Sequence, residues 1–235
     1  MDIGKAFSFV FEDEEWISKI LIGGLISLIP LVGQFVVLGY ALKVAQNVAQ
    51  GNPRPLPRWG EFGDHLVRGL YEFVIRLVYA LPIVLIALLF ACLGAAMGGA
   101  SADSDNAERF GALFGMLALC LVPILFILGL AVTVVSFAAL ARFVASNNLG
   151  DALKVADVIA LTRRSPGAWL MLLVVSLLAG VVASLGMIAC GVGILFTAVY
   201  AQIVIGHALG QTVVQQGLAA PQAPPAYSYG PPPTL

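Results

Sequence analysis

The sequence predicts an all-α fold: a polytopic transmembrane bundle of three helical hairpins, about six membrane helices, with short amphipathic helices at the interface. Three observations predict it. Residues 20–42, 77–102, 110–141 and 165–235 contain no Asp, Glu, Lys or Arg. Each of the first three runs exceeds the ~20 residues that cross a ~30 Å hydrocarbon core, and the fourth carries enough Leu, Val and Ala to cross twice. Secondly, the chain is 60% apolar and only 11% charged, whereas a soluble domain carries roughly 25% charged residues to stay in solution. Thirdly, the tryptophans Trp16, Trp59 and Trp169 each stand where an apolar region begins. That is the headgroup level, where an indole is half buried and its N–H stays wet, so the three are expected to be interfacial anchors.

Helices are the expected form because a backbone in lipid must satisfy its own hydrogen bonds. The alternation of an outer-membrane barrel is absent. The units fall at about 1–51, 57–146 and 150–216, forming one integral membrane domain over 1–216. A Pro-rich tail, 217–235, is too poor in apolar residues to fold and is expected to be disordered. Each unit opens with a segment suited to a helix in the interface plane or, alternatively, to the first turn of a spanning helix. Ile3, Ala6, Phe7, Val10 and Phe11 recur at helical spacing in the first. Phe62, Leu66, Leu70 and Phe73 oppose Glu61, Asp64 and Arg68 in the second. Leu153, Ala156, Ile159 and Ala160 oppose Asp151, Lys154 and Asp157 in the third.

A hairpin follows in each unit. In the first, residues 17–29 lead to Pro30 and Gly33 and return over 34–49. The outgoing arm is only ~20 Å long, too short to span, so this hairpin is short or re-entrant, unless 20–42 forms one kinked span. In the second, 70–98 runs out to a polar loop at 99–109, and 110–145 returns, with Pro82 and Pro123 expected to kink the two helices. In the third, 169–189 and 194–215 flank a turn at Cys190-Gly191-Val192-Gly193. Residues 30–51 laid on 190–211 pair Val32-Gly33 with Val192-Gly193 and Tyr40-Ala41 with Tyr200-Ala201, which points to duplication.

With a first hairpin, eleven basic residues from Lys5 to Arg164 share one side and Arg109 alone lies opposite. The positive-inside rule then makes the basic loops and both termini cytoplasmic in a multi-pass protein of the cell membrane. No cleaved signal peptide is expected, because Glu12-Asp13-Glu14-Glu15 stands where a signal would be basic. The net charge of −1 gives no steer toward nucleic acid. Cys92, Cys120 and Cys190 sit singly in apolar sequence and read as packing residues.

Little chemistry is legible. Inside the hairpins the polar residues noted are Thr133 and Ser136, then Gln202, His207 and Gln211, so no carboxylate relay is expected. His65 and His207 form no HExxH pair. There is no Gly-x-Ser-x-Gly elbow and no Gly-rich loop followed by Lys. Neither a catalytic residue nor a cofactor or metal is called for. One polar constellation is left: Lys43 and Asn47 on the second helix, the return arm of the first hairpin, and His207 and Gln211 one turn apart on the last, which form a pocket if the related hairpins approach. Such residues also simply bond helix to helix.

The run Trp16, Gly23-Gly24, Ile29-Pro30, Gly33, Gly39-Tyr40, Gly51, Leu56-Pro57-Arg58-Trp59, Phe62, Asp64 and Gly69 resembles the prokaryotic membrane family catalogued as domain of unknown function 4013. The closing His207-Ala208-Leu209-Gly210-Gln211 resembles its C-terminal signature. The resemblance implies a bacterial or archaeal integral membrane protein without an assigned activity, and carries over no catalytic residue. The expected function is a non-enzymatic scaffold or interaction subunit whose partners are the lipid bilayer and a protein or second copy. The alternative is a small transporter or a membrane protein that binds lipid or a small molecule. An enzyme at the interface, using Trp59, Asp64 and His65, is the third reading.

Overall fold

A computed structural model describes residues 1–100, 107–188 and 191–219. Among these the chain is helical throughout: α1 (Ile3–Ser8), α2 (Trp16–Ser27), α3 (Val32–Ala49), α4 (Phe62–Ala100), α5 (Ala107–Ser146), α6 (Leu149–Ala152), α7 (Val155–Arg164), α8 (Pro166–Leu185) and α9 (Gly193–Gln215). Single 3-10 turns lie at Phe9–Glu12, Trp59–Glu61 and Gly186–Ile188. Four helices, α4, α5, α8 and α9, are long and apolar enough to cross a membrane, and the fold is an all-α membrane-type bundle. The central residues of the 99–109 loop, Ala189 and Cys190 of the third turn, and the tail from Ala220 onward lie outside the described residues.

The first apolar segment is a hairpin and not one kinked span. α2 ends near Pro30, and the chain reverses through a γ-turn centred on Leu31 (φ 63°, ψ −59°), closed by Val32 N–H donating to the Pro30 carbonyl at 2.7 Å. Ile20 then packs in one cluster with Val37, Tyr40 and Val44, which requires the two arms to run side by side. α2 has 12 residues, about 18 Å of helix, so the hairpin is as short as its sequence indicated.

α3 is the hub. Its strongest contact is with α4, and it also packs extensively on α9. On the α4 side, a Cβ added to Gly39 would overlap the His65 carbonyl, and one added to Gly69 would overlap the Phe35 carbonyl. The two backbones cross antiparallel, with no room for a side chain between them. On the other side Gly206 and Gly210 of α9 lie against Ala41 and Ala45. Since both numbers rise together, α3 and α9 run parallel. Small residues permit such approach, and in lipid the resulting dispersion contact is a main source of helix association.

Burial on α4 falls on one stripe, His65, Gly69, Glu72, Ile75 and Tyr79, while Phe62, Leu70 and Phe73 face outward. The segment expected to lie in the interface is therefore the opening of α4 itself, because its polar stripe is the one that packs on α3. Beyond Tyr79 on α4, and before Ser136 on α5, no described residue is buried. There the two helices touch each other, as in the stack of Phe90 on Phe114 at 4.4 Å. The antiparallel α3–α4 register puts Val32 level with Glu72, so α4 continues past the end of α3 for roughly 40 Å at ~1.5 Å per residue. Pro82 and Pro123 sit inside this two-helix arm.

The α3–α4 crossing gives a direct test. Gly39→Ala is expected to cost at least 1–3 kcal/mol through overpacking, seen as a lower melting midpoint in detergent, whereas Gly180→Ala, with nothing within 4 Å of its added carbon, is expected to be close to neutral.

Candidate functional site

The most specific sequence block is an aromatic clasp. Trp59 stacks on Tyr40 (ring centroids 4.1 Å, 17° between planes), and its Nε1 donates to the Lys19 carbonyl at 2.8 Å. Tyr40 Oη donates to the Pro57 carbonyl at 2.9 Å. A side chain on Gly23 would strike the Trp59 ring. His65 is fully buried beside Tyr40 and Trp59, with Nε2 3.2 Å from the Arg58 carbonyl and Nδ1 without a partner among the described residues. Gly23, Tyr40, Leu-Pro-x-Trp and Gly39 are thus neighbours because together they pin α2, α3 and α4 at one end.

Next to it runs a polar seam that sequence reasoning missed. Arg68 donates from Nη1 to Gln46 Oε1 at 2.6 Å and Asn147 Oδ1 at 3.1 Å, and from Nε to Asp64 Oδ2 at 2.7 Å. Gln46 Nε2 also donates to Asn147 Oδ1 at 3.1 Å. Further along α4, Glu72 is only 3% exposed, and one of its oxygens accepts both Arg76 Nε (2.9 Å) and Nη2 (2.8 Å). The Arg76 guanidinium also lies over the Phe137 ring at 5.7 Å. The predicted second hairpin therefore holds a buried carboxylate after all. Its signal was the i, i+4 spacing of Glu72 and Arg76, the interval at which a helix pairs opposite charges. At the α6–α7 turn, Lys154 Nζ bonds Asp151 Oδ1 at 2.8 Å and holds that carboxyl below its ordinary range.

The third feature is a cleft of about 280 Å³ at the same end of the molecule, lined by Lys5, Glu12, Asn52, Pro55, His207 and Gln211 among others. Three remote stretches build it: the N-terminal helix and its 3-10 turn, the α3–α4 connection, and the last turns of α9. Phe9 stacks on His207 at 4.0 Å. Gln211 bonds both backbone groups of Asp2, accepting from its N–H at 2.8 Å and donating to its carbonyl at 3.2 Å.

Of the expected pocket residues, the structure brings together His207 and Gln211, and leaves Lys43 and Asn47 out. α3 and α9 do pack, but through their small residues, so their polar side chains point away from the joint. Asn47 Nδ2 donates to the Pro55 carbonyl at 2.8 Å, behind the cleft wall. Lys43 is half-buried, one turn along from Gly39, and forms no salt bridge among the described residues. Trp16 is half-buried, edge-on to Phe11 at 5.0 Å, and Trp59 is half-buried in its clasp. Trp169 corrects the third anchor: it has no exposed surface and packs into the main core, with its Nε1 donating to the Leu161 carbonyl of α7 at 3.4 Å. The trio proposed for enzyme chemistry is split, with Asp64 bonded to Arg68 while His65 and Trp59 belong to the clasp. Among the described residues no group of three His, Cys, Asp or Glu side chains is placed to hold a metal ion.

Fold and site together define a membrane-type helical bundle closed by a glycine crossing and an aromatic clasp, with polar clefts at its basic end. The chain belongs to the family described as protein of unknown function DUF4013, whose model matches residues 22–192. The clasp lies inside that span, apart from the Lys19 carbonyl, whereas Trp16 and the His207–Gln211 signature fall outside it. Comparison with curated proteins and with solved structures finds no match.

The buried ion pair yields a double-mutant prediction. Arg76→Leu, which strands the Glu72 carboxylate, is expected to cost about 3 kcal/mol, and Glu72→Leu with Arg76→Leu to recover most of it. Thermal unfolding of these two variants and of Glu72→Leu alone, in one detergent, measures the coupling.

Proposed function

We propose that the chain is a non-enzymatic integral membrane protein of the cell membrane of a prokaryote that scaffolds or anchors another protein or a second copy of itself. The observation that carries this reading is the α4–α5 arm, whose outward faces (Leu85, Leu88, Leu89, Leu119, Phe126 and Ile127 among them) are exposed. Lipid or protein must cover such a surface, because so large an apolar patch is not stable in water. The charge-free run 110–141 is about 48 Å long as helix, more than the ~30 Å hydrocarbon core, so lipid covers it fully only if the arm tilts steeply.

The arrangement of charge supports the orientation. Arg54 pairs with Glu14 at 3.5 Å, and Trp59 bonds the Lys19 carbonyl, so the N-terminal segment and the basic α3–α4 connection share one end. By the positive-inside rule this end is cytoplasmic, and the C-terminus of α9 emerges beside it. α7 fits an interfacial helix, with Val158 buried, Ile159 exposed, and Arg163 and Arg164 in its last turn. The domain is taken as 1–216.

The cleft favours a second reading, a membrane protein that binds a lipid headgroup or small molecule, because it gathers charged and neutral polar groups on three elements remote in sequence.

In a background with Cys92, Cys120 and Cys190 replaced, Arg54→Cys and Gln215→Cys are expected to react with a membrane-impermeant maleimide in inverted vesicles and stay unlabelled in intact cells. Labelling in intact cells overturns the orientation. A photo-crosslinker at Leu119 is expected to capture one discrete protein, or a dimer, in native membranes. Capture of lipid alone overturns the scaffold reading.

A further inference from the structure

We propose that the cleft beside His207 binds a small zwitterion, an oxyanion and an ammonium carried on one short molecule, the chemistry shared by a phosphoethanolamine headgroup and a free amino acid. This rests on the second reading above, that the cleft is a binding site, and adds the class of ligand.

The proton on His207 is fixed by its neighbours. The Asp2 N–H donates to Gln211 Oε1 and the Asp2 carbonyl accepts from Gln211 Nε2, which together decide which end of that amide is oxygen. The same Nε2 lies 3.3 Å from His207 Nδ1. Nδ1 therefore accepts, and the neutral ring carries its proton on Nε2. Among the described residues Nε2 has no hydrogen-bond partner, although His207 is only 4% exposed and lines the cleft. The donor is open to the cleft, where an acceptor on a ligand can take the place of water.

The charges supply the rest. Lys5 and Glu12 line the same cleft, and neither forms a salt bridge among the described residues. A simple anion would meet the Lys5 ammonium and the His207 donor but also an unanswered Glu12 carboxylate. A simple cation would meet Glu12 and be opposed by Lys5. A zwitterion answers both, its oxyanion on Lys5 and His207 Nε2–H and its ammonium on Glu12. At about 280 Å³ the cleft falls below the usual range for drug-sized ligands and suits a headgroup or an amino acid. It lies at the end of the bundle that holds the basic residues of the α3–α4 connection.

The test is isothermal titration of the purified full chain in a non-ionic detergent with glycerophosphoethanolamine, glycine, glycerophosphoglycerol and glycerophosphocholine. Either of the first two is expected to bind at least tenfold more tightly than either of the last two, which lack a cation and a hydrogen-bonding cation respectively. Preference for glycerophosphoethanolamine identifies a lipid source, and preference for glycine a free solute. Lys5→Gln and Glu12→Gln, both at exposed positions and expected to leave the protein monodisperse, should each weaken that ligand at least tenfold. If glycerophosphoglycerol binds equally well and Glu12→Gln changes nothing, the zwitterion assignment is overturned while the cleft stands as an anion site. If none of the four binds, both the assignment and the second reading fail.

Discussion

The bundle depends on one constraint: at Gly39 of α3 and Gly69 of α4 each helix occupies with backbone the space where the other would place a Cβ. Helices in lipid gain little from hiding apolar surface, since acyl chains are as apolar as leucine. They gain from close contact, and this crossing is as close as two helices come. α3 repeats the arrangement on its opposite side, where Gly206 and Gly210 of α9 meet Ala41 and Ala45. The aromatic clasp then fixes the angle, because Tyr40 and Trp59 can stack only when α2, α3 and the start of α4 are already in register.

With the helices fixed, polarity is arranged inside out. The charged stripe of α4 faces the protein, its Arg and Glu side chains paired with each other or with amides, and the leucine and phenylalanine faces turn outward. A soluble bundle of the same shape would put these two faces the other way round. The inversion ends at Tyr79 and Ser136. Beyond that level residues 80–100 of α4 and 110–135 of α5 carry no Asp, Glu, Lys or Arg, and their large apolar side chains are exposed.

Much of this was legible in the residues. Charge-free runs located every long helix, and Pro30 with Gly33 marked the first reversal, although its strained γ-turn falls on Leu31, a residue with no turn preference of its own. Two things were not legible. A tryptophan at the head of an apolar stretch is compatible with the headgroup layer and with a core, and only the packing of α8 puts Trp169 in the core. The cleft joins residues near both chain ends, and a single sequence has no local signal for contacts between segments some two hundred positions apart. That distance separated His207 from Phe9 and Asp2, and so led to Lys43 and Asn47 as its expected companions.

The parallel pairing of α3 with α9 also bears on how the protein is made. α3 leaves the ribosome early and α9 is the last of the described helices to follow it, so the Ala41 and Ala45 face waits uncovered until α9 arrives. In that interval the α2–α3 hairpin is held by the clasp and by α4 alone, and insertion of α9 is the event that seals the hub. A ribosome stalled before that point would leave a nascent chain with an open groove of small residues, the kind of surface that membrane quality-control proteases and insertion chaperones encounter first.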